Sequence, residues 1–428
     1  MSGRPVCQAP FNSMYFNVFG EVGPCWLNLG GMGRYPENTI REIWFGEEFE
    51  QLREAIENKN LSYKCKTCLA NIVDGNHHSV LAKLYDYPYP LVKYPTIMEF
   101  ELSNRCNLEC VMCKGDLSST IRSNREKREP LVSPYDEAFV KQLEEFIPHL
   151  KEAKFLGGEP FLIEQYFSIW RNMVRLNPKI NLTITTNGTV NNNRVKEVLN
   201  QLKINIIVSI DSFEEKTYEE IRKGGSFKRV MENFHDFRRY CNKAGTYFQV
   251  SMNPLRRNMW ELNRYVDFCN AYGVRIWFNT VVYPHAESLA MLPHKKLKEL
   301  YAFLSTNTLQ ERNRNCPSEV YNANVKTYRN LLENQLKVWM NKEEDAANSR
   351  MIKSRELDTS EMLEELKRDL LNYINQDAYV TSVQKHEKRQ LIERKLTSLG
   401  NDGKDELDRL FVKNRSEMAE AWLNNKDY

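Results

Sequence analysis

The residues with the clearest chemistry are Cys106, Cys110 and Cys113, spaced C-x3-C-x2-C directly after the apolar stretch Pro95 to Leu102. Three thiolates this close leave a tetrahedral ion one ligand short, but they can hold three corners of an iron–sulfur cube. The fourth iron then has an open position, and open positions are where metal centres do chemistry. A zinc loop with a distant fourth ligand, or a chance cluster, is the plainer reading of the same spacing. Other candidates stand where apolar runs end: Gly157-Gly158-Glu159-Pro160, Asn187-Gly188, the pair Ser209 and Asp211, Arg222 in Ile221-Arg222-Lys223-Gly224-Gly225, and Asn253.

A second thiol set lies upstream. Cys7 and Cys25 flank a hairpin pattern through Phe11 to Trp26, with Gly20 at its turn, and Cys65-x2-Cys68 follows a helix pattern near Arg41 to Glu57. In a reducing compartment, four cysteines in two pairs point to one four-thiolate metal site, and that count fits zinc and a 4Fe–4S cluster equally well. His77-His78 read as linker, because four thiolates already complete the site. Cys241 and Cys269 sit within helix patterns beside aromatic residues and read as core, and Cys316 as a bystander thiol.

The first cysteine run, with Ser103-Asn104-Arg105 before it and Asn107-Leu108 inside it, resembles the signature of radical S-adenosylmethionine (radical SAM) enzymes. Gly157-Gly158-Glu159-Pro160 resembles the GGEP motif of that family. The upstream set, with G-x4-C at Gly20 to Cys25 and Ile40-Arg41-Glu42-Ile43-Trp44 before Cys65-Lys66-Thr67-Cys68, looks like a Twitch or SPASM auxiliary-cluster module. Here the module precedes the core, the reverse of the usual order.

The resemblance implies two 4Fe–4S clusters and SAM. One cluster sits on Cys106, Cys110 and Cys113, with SAM chelating its open iron, and an auxiliary cluster sits on Cys7, Cys25, Cys65 and Cys68. It implies contacts to the SAM amino group at Gly157 to Pro160, to ribose hydroxyls at Ser209 and Asp211, and to the SAM carboxylate at Arg222. Met112 stands where many members carry an aromatic residue near adenine. Asn187 and Asn253 are weaker pocket-lining candidates. Each has a plainer alternative: a strand-to-helix turn for the glycines, a helix cap for Asp211, a surface arginine for Arg222, and a tight turn at Asn187-Gly188. Catalytic residues beyond the cluster are not legible.

The elements that must position these groups alternate. Strand patterns at Pro95 to Leu102, Ala153 to Leu156, Asn181 to Thr185, Ile204 to Ile210, Tyr247 to Met252 and Val274 to Val282 are separated by helix patterns such as Ser133 to Leu150. That alternation argues for right-handed crossovers and a parallel sheet. The resemblance implies a partial (β/α)6 TIM-like barrel, while periodicity alone equally allows an open doubly wound sheet. The expected fold is α/β, with a small N-terminal Cys-rich α+β module over 1–75 and a linker over 76–94. The radical SAM core follows over 95–290 and a helical C-terminal region over 291–428. Every chemical candidate falls at a strand's carboxyl end, where ligands bind in such sheets.

Composition narrows the function class. The 428 residues carry a net charge of +3, with 41% hydrophobic and 27% charged residues, which gives no reason to expect nucleic acid. No apolar run reaches membrane-spanning length and no signal peptide opens the chain, so a cytoplasmic protein without a membrane is expected. By the resemblance, a flavodoxin- or ferredoxin-like one-electron donor reduces the cluster and a 5′-deoxyadenosyl radical abstracts a substrate hydrogen atom. A peptide or protein substrate is expected. The alternatives are a small aminosugar, polyol or nucleotide, or a non-catalytic metal-stabilised binding protein.

Overall fold

The computed structural model describes residues 5–29, 31–73, 80–86, 93–356, 359–376, 382–402, 407, 410–411, 413 and 415–423. His77-His78, most of the Tyr85 to Pro95 connector and Gly403 lie outside the described residues. The chain partitions into two compact units. One comprises Met1–Glu109, Cys113–Ser209 and Gly224–Gln249; the other comprises Cys110–Met112, Ile210–Lys223 and Val250–Tyr428.

The strands are β1 (Ser13–Phe16), β2 (Val22–Gly23), β3 (Ile97–Phe100), β4 (Glu152–Phe155), β5 (Asn181–Thr186), β6 (Ile204–Ser209), β7 (Phe248–Met252) and β8 (Arg275–Phe278). They form one unclosed sheet in the order β2-β1-β3-β4-β5-β6-β7-β8. β3 through β6 pair in parallel, as a βαβ series requires. The six strands β3 to β8 match the partial barrel, and the structure adds two more.

The expected hairpin is β1 and β2, which pair antiparallel. Gly20 makes its turn at φ +86°, where an added Cβ would stand 2.2 Å from the Tyr35 carbonyl oxygen. Asn17 Oδ1 holds the turn by accepting from the Phe19 and Glu21 amides at 2.9 and 3.0 Å. β1 then pairs in parallel with β3, Ser13 opposite Ile97 and Phe16 opposite Phe100, so the cysteine-bearing N-terminal stretch extends the main sheet.

Two helices differ from the pattern reading. The stretch Arg41 to Glu57 is split into Ile40–Trp44 and Glu47–Glu57. Gly46 divides them, and a Cβ there would meet the Glu42 carbonyl oxygen at 2.4 Å. The helix expected from Ser133 begins instead at Glu137, capped by the Asp136 side chain. Ser133 Oγ donates to the Leu102 carbonyl at 2.9 Å, so it braces the end of β3.

The sheet of the first unit has two unlike faces because strand side chains alternate. Phe16, Phe100 and Phe155 form an aromatic row with ring centroids 5.5 and 4.9 Å apart. Phe139 packs 5.3 Å from Phe16, while Tyr166 and Trp170 stand 4.9 and 5.4 Å from Phe155. Such ring pairs contribute about 0.5–1.5 kcal/mol each beyond area burial. The opposite face carries Tyr15, Glu99, Lys154, Thr183 and Asn205 in a single register row. The helices therefore cover the aromatic face, and the inner face is polar.

The second unit contains β8, the end of β7 and the helices from Leu262–Ala271 onward. The stretches Glu361 to Ile374 and Lys388 to Leu399 lie inside the helices Thr359–Gln376 and Ser382–Asp402. Met362, Leu366, Leu370 and Ile374, four apart on one stripe, bury against Ile392, Leu396, Phe411 and Trp422 in a core of their own. No helix among the described residues is long and apolar enough to cross a membrane.

Candidate functional site

The upstream cysteines converge. Cys7, Cys25, Cys65 and Cys68, spread over about sixty residues of sequence, line one cavity whose other walls include Ala9, Leu27 and Leu81. Burial pushes the Cys7 thiol up to about 11 and the Cys25 thiol up to about 12, with neighbouring cysteines adding to both. Burial also raises Cys65, although Asn28 Nδ2 donates to its sulfur at 3.5 Å. Thiols gathered in an apolar cavity ionise only when a cation arrives to replace their protons. The donor set fits an iron–sulfur cluster or zinc on this ground. Among the described residues, no group of three or more His, Cys, Asp or Glu side chains forms a ready-made single-ion site.

The loop after β3 carries the other three cysteines. In the first unit, the Cys106 amide donates to Ser119 Oγ at 3.1 Å, and Thr120 Oγ1 donates to the Cys106 carbonyl at 2.6 Å. Asn187 Nδ2 lies 3.8 Å from the Cys106 sulfur and 3.0 Å from Asn107 Oδ1. Burial raises the Cys106 thiol, and the Leu108 amide works against it. Cys113 stays half-buried on the same loop. In the second unit, the buried Cys110 has Arg222 Nη1 3.9 Å from its sulfur. N–H donors aimed at two of the three sulfurs make a thiolate environment, which fits a cluster on this loop. Met112 is half-buried beside them in sequence.

The GGEP turn is built for close approach. Gly157 and Gly158 have φ of +80° and +42°. A Cβ on Gly158 would stand 2.3 Å from the Arg105 carbonyl oxygen, and one on Gly157 would stand 2.5 Å from Glu101 Cγ. Glu159 is fully buried. Its carboxylate accepts from Thr186 Oγ1 at 2.7 Å, the Asn187 amide at 2.7 Å and the Phe161 amide at 3.1 Å. Its side chain thus ties β5's end to the turn, and Pro160 starts a short 3-10 turn.

In the second unit, the buried Asp211 and Arg222 and the half-buried Asn253 form one set. Arg222 Nε stands 2.7 Å from Asp211 Oδ2. The Asn253 amide and Nδ2 donate to Asp211 Oδ1 at 2.7 and 2.9 Å. Burial pulls the Arg222 guanidinium down, but Asp211 and Cys110 outweigh it and hold it above its usual range. Arg222 is thus buried and not a surface group. Ser209 is half-buried at the end of β6. Cys241 and Cys269 are fully buried core thiols, and Cys316 is buried with its sulfur 3.6 Å from the Pro317 carbonyl.

The matching models decide the family. One, described as the radical SAM superfamily, covers residues 100–269; another, described as an iron-sulfur cluster-binding domain of SPASM type, covers residues 7–69. Residues 100–269 match a radical SAM domain. It is 23% identical over 181 residues to GTP 3',8-cyclase of Clostridium botulinum, spanning 42% of this chain and 54% of that one. It is 27% identical over 182 residues to the antilisterial bacteriocin subtilosin biosynthesis protein AlbA of Bacillus subtilis, spanning 42% of this chain and 36% of that one. The chain thus spans about half or less of the curated relatives it matches. Among solved structures, Streptococcus suis SuiB bound to precursor peptide SuiA overlaps 68% of this chain and 60% of its own, at 17% identity and a TM-score of 0.39. Radical SAM and SPASM domains imply SAM and iron–sulfur clusters as cofactors.

Residues outside the family motifs also face the inner side of this radical SAM sheet. Tyr15 OH donates to the Glu101 carboxylate, and Lys154 Nζ stands 3.2 Å from Glu99 Oε1. Glu99 lies in β3 and Glu101 just past its end, two apart, and that alternation inside an apolar run was the visible signal for them. Burial raises the Glu101 carboxyl above its usual range although Tyr15 and Lys114 oppose it, and burial followed by Glu101 raises the Tyr15 phenol. A raised carboxyl binds its proton more tightly folded than unfolded. Its contribution is complete below the unfolded value of about 4.3 and is lost as pH rises through the folded value. Thermal melts from pH 4 to 8 should therefore show Glu101→Gln gaining on the parent as pH rises, by about 1.4 kcal/mol per pH unit within that window. A constant difference across the range would exclude a raised Glu101.

Proposed function

We propose that this protein is a radical SAM enzyme that modifies a peptide or protein by abstracting a hydrogen atom from one of its carbons. The observation carrying the reading is the three-cysteine loop, where Asn187 Nδ2 lies 3.8 Å from the Cys106 sulfur and, separately, Arg222 Nη1 lies 3.9 Å from the Cys110 sulfur. A cluster on that loop with SAM supplies one-electron cleavage of the sulfonium to methionine and a 5′-deoxyadenosyl radical. The chain's own residues do the positioning. Gly157 and Gly158 let the turn pack directly against Glu101 and Arg105, next to the cysteine loop, and Glu159 holds Asn187 near the Cys106 sulfur. Asp211 fixes Arg222 and Asn253. The four-thiol cavity supports a second cluster on Cys7, Cys25, Cys65 and Cys68, which could take an electron from the substrate radical. The SPASM match favours a peptide, since such modules most often accompany peptide-modifying members.

The polar inner row of Tyr15, Glu99, Lys154, Thr183 and Asn205 also suits a hydroxyl-rich small molecule, which keeps a nucleotide or sugar substrate as the second reading. Anaerobic reconstitution, then dithionite and SAM, should yield 5′-deoxyadenosine. Deuterium carried from a labelled precursor peptide, or from a labelled sugar or nucleotide, into that product separates the two readings. SAM left intact under strong reductant overturns both.

A further inference from the structure

We infer that Arg222 is a positioning residue that sets the reduction potential of the cluster on Cys106, Cys110 and Cys113, acting through the Cys110 sulfur. The inference rests on the cluster reading above.

Arg222 closes the helix Glu215–Ile221 and is 5% exposed. Its two ends have separate tasks. Nε meets Asp211 Oδ2 at 2.7 Å, and Nη1 lies 3.9 Å from Cys110 Sγ. Asp211 is engaged on both carboxylate oxygens. Its other oxygen takes two donors from Asn253, and Asn258 Nδ2 bridges the Asp211 and Asn253 carbonyls at 2.8 and 3.0 Å. The cysteine loop is tied to the same helix end, because the Val111 amide donates to the Ile221 carbonyl at 2.9 Å. Carboxylate, guanidinium and thiol therefore stand next to one another in the second unit.

Reduction adds one electron to the cluster and spreads negative charge onto its sulfurs. A fixed N–H beside one sulfur stabilises the reduced form more than the oxidised form, so the potential rises. Asp211 balances the charge of Arg222 at a distance, which leaves the directed N–H as the local effect. The same geometry explains why an always-charged, forked side chain occupies the position, since lysine has one charged tip and cannot serve both partners.

Removing Arg222 alone would strand Asp211 as a buried, unpaired charge, so two other variants carry the test. Arg222→Lys keeps the charge. Asp211→Asn combined with Arg222→Gln removes both charges and keeps the acceptor that Asn253 uses. Iron content and an EPR-monitored redox titration are measured, following the signal that SAM perturbs. The double variant is expected to keep its iron and to lose at least tenfold in the reduction equilibrium, a fall of 59 mV for one electron. Arg222→Lys is expected to shift the same way by less. A parental midpoint in iron-loaded variants overturns the inference, as does loss of the cluster from both, since the arginine would then hold the loop only. Parent protein without iron on this loop overturns the reading beneath it instead.

Discussion

Cys110→Ala is expected to bind about four irons after anaerobic reconstitution where the parent binds about eight, and to form no detectable 5′-deoxyadenosine. Cys110 is buried, with Arg222 Nη1 3.9 Å from its sulfur. Alanine leaves two corners of a cube that needs three from the protein. The upstream set is a separate cavity lined by its own four cysteines and should keep its iron. Cys65→Ala should give the complementary pattern, with SAM cleavage retained in part and turnover of substrate lost. Iron and sulfide analysis of both variants checks this. Unchanged iron in Cys110→Ala would remove the cluster from the loop.

Glu159→Ala should be among the most destabilising single changes in the chain. Its carboxylate, fully buried, is the acceptor for Thr186 Oγ1 and for the Asn187 and Phe161 amides. Alanine strands three donors, and a buried unsatisfied donor costs about 1–3 kcal/mol, so a loss of at least about 3 kcal/mol is expected. In denaturant titration the midpoint should fall at constant slope. Glu159→Gln restores an acceptor but turns an amide N–H toward other donors, so it should recover part of the loss. If Glu159→Ala melts with the parent, the carboxylate is not a brace. Because Asn187 leans on Glu159 and reaches toward Cys106, the same variant should load iron poorly on the first loop.

The chemistry was legible where it was local. Cys106 to Cys113 is eight residues long, and thiols at that spacing have few other uses in a reducing compartment. The strands of the parallel series were legible because β-branched and aromatic runs alternate with amphipathic helices. Long-range pairing was less visible. Nothing in Ser13–Phe16 announces that its partner is Ile97–Phe100, more than eighty residues on, because β pairing leaves no mark on either strand alone. The helix start was ambiguous for a physical reason: Ser133 and Asp136 are both good caps, and only the Leu102 carbonyl decides between them. Gly46, by contrast, was a readable break in Arg41 to Glu57. For Arg222 the residue type was informative and the partner was not. A guanidinium suits any carboxylate, and the structure supplies Asp211 from eleven residues upstream. Glu101 was readable from its alternation with Glu99, but its Tyr15 partner arrives from a distant strand.

The strand that ends the sheet beside β1 has one more effect. β2 is two residues long and is followed at once by Pro24, which has no amide hydrogen to offer. The chain then folds back so tightly that a Cβ on Gly23 would stand 1.9 Å from the Asn28 carbonyl oxygen. A foreign strand arriving at this rim finds almost no free ladder to extend. The border next to Cys25 is thus protected against edge-to-edge aggregation, a hazard that an unclosed sheet would otherwise carry there.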